Sequence, residues 1–532
     1  MPPTTSRPVP EQTPRSGRHA LLVATGIFLS RVFGLVRQRV LSHFLGLTDA
    51  SDAFQIAFRI PNFLQNLLGE GVLSASFIPV YARLRAEGRQ EEATHVANAI
   101  FGLLALATSV IVLAGMALAD PLTHLIAPGF RGAKHVLTAH LVRLLFPGAG
   151  LFVFSAWCLG VLNSHRRFLL SYTAPVIWNA AIIGTVLLSA GQGDETTIAV
   201  AAAIGSVVGA ALQVLVQIPT VVTLTRSLRP NLAIHSPDVR AVLKNFGPVF
   251  VGRGVVQISA YVDSILASLL GTGPVAALAN AQVLYTLPVS LFGMSVSAAE
   301  LPAMSSATGS PGEIAAALRD RLNEGLRRIA IFVVPSAAAF LLFGDIIAAA
   351  LFQTGRFTAA DSRFVWAILA GSAVGLLAAT LGRLYSSAYY ALRDTATPLR
   401  FAVLRVLLTT ILGYLCAVAL PPLLGIDAKW GAAGLTASAG VAGWVEFLLL
   451  RGGMNLRIGG TGLPLRFLAT LWASALVSGL IALGLDRATG MVSPIARALL
   501  VLPSYGILYF GLAALAGLPE PLLMVRKVLR RG

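Results

Sequence analysis

Apolar stretches of about twenty residues follow one another along nearly the whole chain. Each is long enough to cross the ~30 Å hydrocarbon core of a bilayer as a helix. A spanning helix satisfies its own backbone hydrogen bonds where no water can, so a bundle of such helices is the fold this pattern permits. The reading is an all-α integral membrane protein with about fourteen transmembrane helices. They fall near residues 20–43, 52–82, 95–119, 138–163, 170–190, 197–223, 245–270, 276–304, 327–352, 364–391, 399–420, 430–451, 465–485 and 492–517. Composition agrees: 56% of the 532 residues are hydrophobic and 12% are charged, where a soluble domain carries about a quarter charged residues.

Lys and Arg number 40 against 23 Asp and Glu, a net charge of +17. In a soluble chain this excess would suggest nucleic acid. Here the cations sit in short loops between apolar runs, and basic loops stay in the cytoplasm. Arg83, Arg85 and Arg89 follow the second span; His165, Arg166 and Arg167 follow the fourth; Arg226, Arg229, Arg240 and Lys244 follow the sixth. The pattern continues with Arg319, Arg321, Arg327 and Arg328, then Arg393 and Arg400, then Arg451, Arg457 and Arg466. The intervening loops are poorer in charge or acidic, as at Asp194 and Glu195. An even number of spans with both termini cytoplasmic fits this alternation. Residues 1–19 lack the apolar core of a signal peptide and read as a disordered cytoplasmic tail; residues 519–532 read as a basic one. Cys158 and Cys416 lie in separate apolar runs and form neither a disulfide framework nor a metal cluster.

A weak repeat divides the chain. The second span holds Ile60-Pro61, Gly69 and Ile78-Pro79; the eighth holds Leu287-Pro288, Gly293 and Leu301-Pro302. Gly129-Phe130 and Ala174-Pro175 have counterparts in Arg356-Phe357 and Thr397-Pro398, one six-span unit later. Two six-helix lobes, 20–223 and 224–451, around a central cavity, with a helix pair at 452–518, would account for this. Repeated halves around a cavity are a transporter architecture.

Charges inside the spans concentrate at the start of the chain. The first span carries Arg31, Arg37 and Arg39, and the second carries Asp52, Arg59 and Glu70. A charge at the bilayer centre costs at least ~2.5 kcal/mol on insertion scales, so such residues face a cavity or a partner. Arg39 and Asp52 lie where an interfacial position explains them as well as a functional one. Arg31, Arg37 and Arg59 lie deeper and point to a water-filled cavity. Arginines without enough carboxylates call for an anion, and the guanidinium fork suits phosphate. Glu70, flanked by Gly69 and Gly71, reads either as a gate or ion pair or as a structural link between helices, with glycines that allow local opening. Arg253 and Asp263 share the seventh span about 15 Å apart, too far to pair directly. Arg405 in the eleventh span is an open candidate as the partner of Asp263, and Arg383 stands in the tenth. Gly205 and Gly209 read as helix packing.

No catalytic constellation is visible, and no His or Cys pair has metal spacing. No Gly-rich phosphate loop precedes Lys-Ser/Thr. The chain reads as a transporter without cofactor or metal, dependent on an external energy source.

The run from Ser30 to Arg85, SRVFGLVRQRVLSHFLGLTDASDAFQIAFRIPNFLQNLLGEGVLSASFIPVYARLR, closely resembles the start of the MurJ (MviN) lipid II flippases. These belong to the wider superfamily of drug and polysaccharide exporters. Ala127-Pro128-Gly129-Phe130, the Phe146–Phe168 stretch, Gln257-Ile258-Ser259 to Asp263, Phe352–Phe357 and Asp394–Pro398 agree with it. The resemblance implies fourteen helices, a cavity shared by two lobes, and lipid II as substrate, with the headgroup crossing in the cavity by alternating access. Family cavity arginines match Arg31 and Arg37, and family acids match Asp52 and Glu70. Three departures stand out. Gln65 replaces an arginine of some members. Gln282 and Val283 replace an Asn/Asp-Arg pair, a loss that Arg59, Arg253 or Arg383 could offset. Thr409 and Gly413 are poor ligands for the sodium that some members hold beside the aspartate matching Asp263. The implied setting is the cytoplasmic membrane, with membrane lipids and cell-wall synthesis enzymes as partners and no nucleic acid. The rival readings are a flippase for another undecaprenyl-pyrophosphate-linked oligosaccharide and a non-transporting cell-wall scaffold.

Overall fold

The computed structural model describes residues 14–518 except 192 and 492; the side chains of 14–24, 27, 64–65, 70, 168–169 and 248–260 lie outside the description. The described residues form helices and turns, with one isolated bridge between Thr354 and Phe357. The chain runs α1 (Pro14–Leu45), α2 (Asp49–Leu68), α3 (Glu70–Ala86), α4 (Gln90–Ala117), α5 (Ala119–Ile126), α6 (Gly132–Ser164), α7 (Phe168–Ser189), α8 (Glu195–Thr225) and α9 (Pro237–Ser268). It continues with α10 (Pro274–Pro288), a π-helical segment (Val289–Met294), α11 (Ser295–Ser305), α12 (Pro311–Phe352), α13 (Ala359–Ala391) and α14 (Ala396–Tyr414). A second π segment (Leu415–Ala419), α15 (Leu420–Leu423), a 3-10 turn (Ala428–Trp430), α16 (Gly431–Ile458), α17 (Leu465–Thr489) and α18 (Pro494–Leu515) complete it.

Eleven helical spans among the described residues are long and apolar enough to cross a membrane, and each falls on an expected run. The other three runs, 20–43, 52–82 and 245–270, fall on α1, on α2 with α3, and on α9. The run 52–82 is not one helix: it breaks at Gly69, between Pro61 and Pro79. The run carrying the matching proline pattern, 276–304, is interrupted by the π segment between Pro288 and Pro302. Proline removes an N–H and crowds the preceding turn, so paired prolines localise such breaks.

Several helix starts are set by side chains. Asp194 accepts from the Thr197 N–H at α8. Ser310 with Glu313, and Thr358 with Asp361, form reciprocal capping boxes at α12 and α13.

Contacts divide the chain into two compact units. The first comprises the chain up to Val40 with Ile56–Thr123 and Ala133–Ile258; the second comprises Leu41–Gln55, His124–Gly132 and everything from Ser259. The core of the first lies among α3, α4, α6 and α8, with Phe77, Tyr81, Ile100, Val153, Trp157 and Val221 buried together. Gly205 and Gly209 bring α8 against α7: a Cβ on Gly209 would stand 2.9 Å from Trp178. In the second unit α13 crosses α16 with Gly375 against Gly440, where a Cβ on Gly375 would lie 2.4 Å from the Gly440 Cα. There α18 is tied to α12 by hydroxyls. Pro335 cannot donate to the Ile331 carbonyl four residues earlier, and the Tyr509 hydroxyl donates to it instead, at 2.9 Å. The Tyr505 hydroxyl donates to the Pro335 carbonyl at 2.9 Å.

Candidate functional site

In the first unit, α1 presents the arginines picked from the sequence. Arg31 is exposed and makes no ion pair among the described residues. Arg37, a turn and a half further on, is half-buried with its guanidinium carbon 4.8 Å from the Trp178 ring centroid and 5.6 Å from that of Phe58. Those two rings stack 5.7 Å apart, and Phe152 meets Trp178 edge-on at 5.2 Å. The Trp178 indole N–H donates to the Ser206 carbonyl at 3.1 Å, which fixes the ring. An aromatic face holds a guanidinium with about 0.5–2 kcal/mol while leaving its N–H donors available for an anion. Arg59, on α2, is half-buried and engaged in further contacts. Arg253, Glu70 and Gln65 have side chains outside the described set.

Asp52 has a definite place. It is wholly buried, and its two oxygens accept the Gly273 N–H at 2.7 Å and the Ala276 N–H at 2.8 Å. The carboxylate therefore caps the N-terminus of α10, where free N–H groups and the helix dipole favour an anion. An interfacial, snorkelling position is thus replaced by a buried one. Gly273 takes φ +100°, a left-handed conformation that a side chain would strain.

Neighbouring turns of the second unit join this cap. Asp49 accepts the Thr272 hydroxyl at 2.7 Å. The His43 carbonyl accepts the Arg356 N–H at 2.9 Å, and its imidazole bonds the Thr354 hydroxyl at 2.9 Å. The Gly129 N–H donates to the Ser268 hydroxyl at 3.3 Å. A Cβ on Gly355 would stand 2.4 Å from the His43 carbonyl oxygen, and one on Gly129 would stand 2.0 Å from that of Ser268. The sequence motifs around Gly129 and Gly355 are thus docking turns, clasped around the α1–α2 corner and the start of α10.

Elsewhere in the second unit Arg405 pairs with Glu446 of α16 at 3.3 Å. The pairing of Arg405 with Asp263 is thereby corrected: Glu446, one helix away, takes the guanidinium. Asp263 is half-buried and has contacts of its own. Arg383, exposed on α13, stands within electrostatic reach of Glu446 and of Tyr285, two residues beyond Val283. Gly413 packs closely against Leu266 and Leu435, so that position serves helix contact. Trp178 and Glu446 escaped the sequence reading. An acid inside the twelfth span was a signal for the second; nothing local marked the first.

The family model for the lipid II flippase MurJ matches residues 41–508. The chain belongs to the MurJ family. It is 31% identical over 517 residues to the lipid II flippase MurJ of Burkholderia cenocepacia, covering 94% of this chain and 97% of that one. It is 30% identical to a probable lipid II flippase MurJ of Haemophilus influenzae, over 71% of this chain and 76% of that protein. In fold it is similar to a lipid II flippase MurJ in an inward closed conformation, with TM-score 0.73, 23% identity and coverage of 92% and 98%. It is also similar to an inward-facing MATE multidrug transporter, with TM-score 0.62, 18% identity and coverage of 82% and 98%. A MurJ family chain with these helices is a multi-pass membrane transporter.

Proposed function

We propose that this chain is a flippase that carries lipid II, the undecaprenyl-pyrophosphate-linked peptidoglycan precursor, from the inner to the outer leaflet of the cytoplasmic membrane by alternating access. In this reading both termini are cytoplasmic, about fourteen helices span the bilayer, and two lobes, 20–223 and 224–451, are followed by the helix pair 452–518. Lipid II and the surrounding membrane lipids are the partners, and cell-wall synthesis enzymes receive the product.

The observation that carries the reading is α1. Among the described residues it offers one exposed guanidinium without an ion pair and a second seated on Trp178. Two cations held this way suit a pyrophosphate, and Arg59 and Arg253 are the further candidates. Asp52, with the turns clasped around α10, would hold the outer end of the helices closed, because in this orientation the loops near 47, 128, 271 and 355 all lie on the outer side. Release of that cap is then a step of outward opening. A second reading, a flippase for another undecaprenyl-pyrophosphate-linked oligosaccharide, is favoured by Gln282 and Val283, which stand where family members often carry Asn/Asp-Arg.

The test uses cells whose own lipid II flippase can be shut off. Native chain restores access of an externally added lipid II-degrading enzyme to its substrate, and Arg31→Ala or Arg37→Ala does not. A well-expressed native chain that restores nothing overturns the assignment to lipid II.

A further inference from the structure

The membrane spans of the second unit bring three charges into one layer. Close contacts set the register between α13 and α16. A Cβ on Gly371 would stand 2.4 Å from the Thr436 hydroxyl oxygen, one on Gly375 2.4 Å from the Gly440 Cα, and one on Gly382 3.9 Å from Leu450. The two helices therefore run side by side in the same direction, and Arg383, next to Gly382, stands about one turn from the level of Glu446. Arg405 of α14 holds the Glu446 carboxylate at 3.3 Å. Both arginines lie within electrostatic reach of Glu446 and of Tyr285 on α10. Glu446 is thus neutralised by Arg405. Arg383 is exposed, and among the described residues no carboxylate pairs with it. The layer keeps one positive charge.

We infer that Arg383 is a subsite for a carboxylate of the peptide that the lipid-linked headgroup carries. The inference deepens the flippase reading and rests on it. An unpaired cation inside a span is costly, so it faces a water-filled space and calls for an anion. Arg383 lies eight residues, about 12 Å, before the end of α13 at Ala391, below the level of the phosphates of the surrounding lipids. The anion therefore arrives with the cargo. A single guanidinium fork matches one carboxylate through two parallel hydrogen bonds. One net charge balances one carboxylate and falls short of a pyrophosphate, which in the proposed function meets the α1 arginines. The neighbouring face of α10 is polar and neutral: Gln282, exposed, donates to the Thr286 hydroxyl at 3.2 Å. Such groups suit the amides of a peptide.

The experiment measures binding of two probes to purified full-length protein in lipid nanodiscs. They are lipid II and the same lipid with its peptide carboxylates converted to carboxamides. Native protein is expected to bind the free-acid form more tightly. Arg383→Gln is expected to lose about tenfold in affinity for that form, the size of one charge-assisted hydrogen bond near the lower end of its range, with affinity for the amidated form unchanged. Arg383→Lys keeps the charge without the fork and is expected to retain part of the preference. Equal affinity of native protein for the two lipids overturns the subsite and leaves the flippase reading standing. Unchanged preference in both folded variants overturns it as well. Equal weakening for both lipids overturns it too, because it marks a pyrophosphate contact or a structural role. If native protein binds neither probe, the flippase reading itself falls and takes this inference with it.

Discussion

Replacing Asp52 tests the clasp around the start of α10 most directly. Its carboxylate is fully buried and satisfies two backbone donors, at 2.7 and 2.8 Å. Hydrogen bonds to charged groups contribute about 1.5–3 kcal/mol each, and removing a helix cap costs about 0.5–2 kcal/mol. The two donors share one helix end, so their losses do not simply add. Asp52→Ala is therefore expected to cost about 2–3 kcal/mol, which is roughly 30- to 150-fold in the opening equilibrium at 1.4 kcal/mol per tenfold. Asp52→Asn keeps one acceptor and turns an amide N–H₂ toward the other donor, so it is expected to cost about half as much. Hydrogen exchange at the Gly273 and Ala276 amides, in purified protein held in nanodiscs, reads this directly. Exchange should accelerate in the order native, Asn, Ala. Unchanged protection in the Ala variant would refute the cap, and acceleration spread evenly over α10 and its neighbours would mean general unfolding instead of local release.

Three further outcomes follow from the same structure. Arg37→Lys keeps the charge but loses the planar guanidinium over Trp178, so lipid II exposure in the cell assay should fall roughly tenfold; native-level exposure would show that charge alone suffices. Gly375→Ala places a Cβ 2.4 Å from the Gly440 Cα, and the thermal midpoint should drop by the equivalent of about 1–3 kcal/mol; an unchanged midpoint would mean that α13 and α16 part easily. His165, in the turn after α6, is bonded to the Tyr81 hydroxyl at 3.0 Å, and burial, with Arg85 and Arg167 nearby, lowers its pKa from 6.5 to about 4. The unfolded chain takes up that proton first, so stability should fall as pH drops from 6.5 toward about 4, with no further loss from this group below. His165→Gln should flatten the thermal midpoint across that window, and an equally steep slope would assign the dependence to other groups.

The helices were legible because membrane burial is a one-dimensional constraint: twenty apolar residues in a row have few alternatives. Their ends were less so. α12 begins at Pro311, well before the expected 327, because a helix that leaves the bilayer continues in water on its own capping box, Ser310 with Glu313. That box was readable, but hydropathy does not register it. The interruption at Gly69 followed from its glycines and prolines, and the deep arginines announced themselves by their cost. Partners across the fold were not legible. Asp52 meets a helix end more than two hundred residues away, and its partners are backbone N–H groups, which every residue but proline carries. Arg405 drew Glu446 over Asp263 because two carboxylates were available to one guanidinium, and only the packing of α14 on α16 decides between them.

A carrier that held lipid II equally well in every state would move nothing, because a ligand shifts an equilibrium only by its differential affinity. In the proposed function the arginines on α1 provide recognition, but recognition alone does not drive a substrate from one side of the membrane to the other. The asymmetry has to come from contacts made in one state only. The Asp52 cap is worth about 2–3 kcal/mol by the reckoning above, and exchange at the Gly273 and Ala276 amides with and without lipid II tests whether it is made in one state only. In the proposed cycle, where release of the cap is a step of opening, that free energy is small enough for a bound headgroup to offset. The clasp therefore acts there as the threshold that the headgroup must overcome. Weakening it should raise leak and lower selectivity before it abolishes transport.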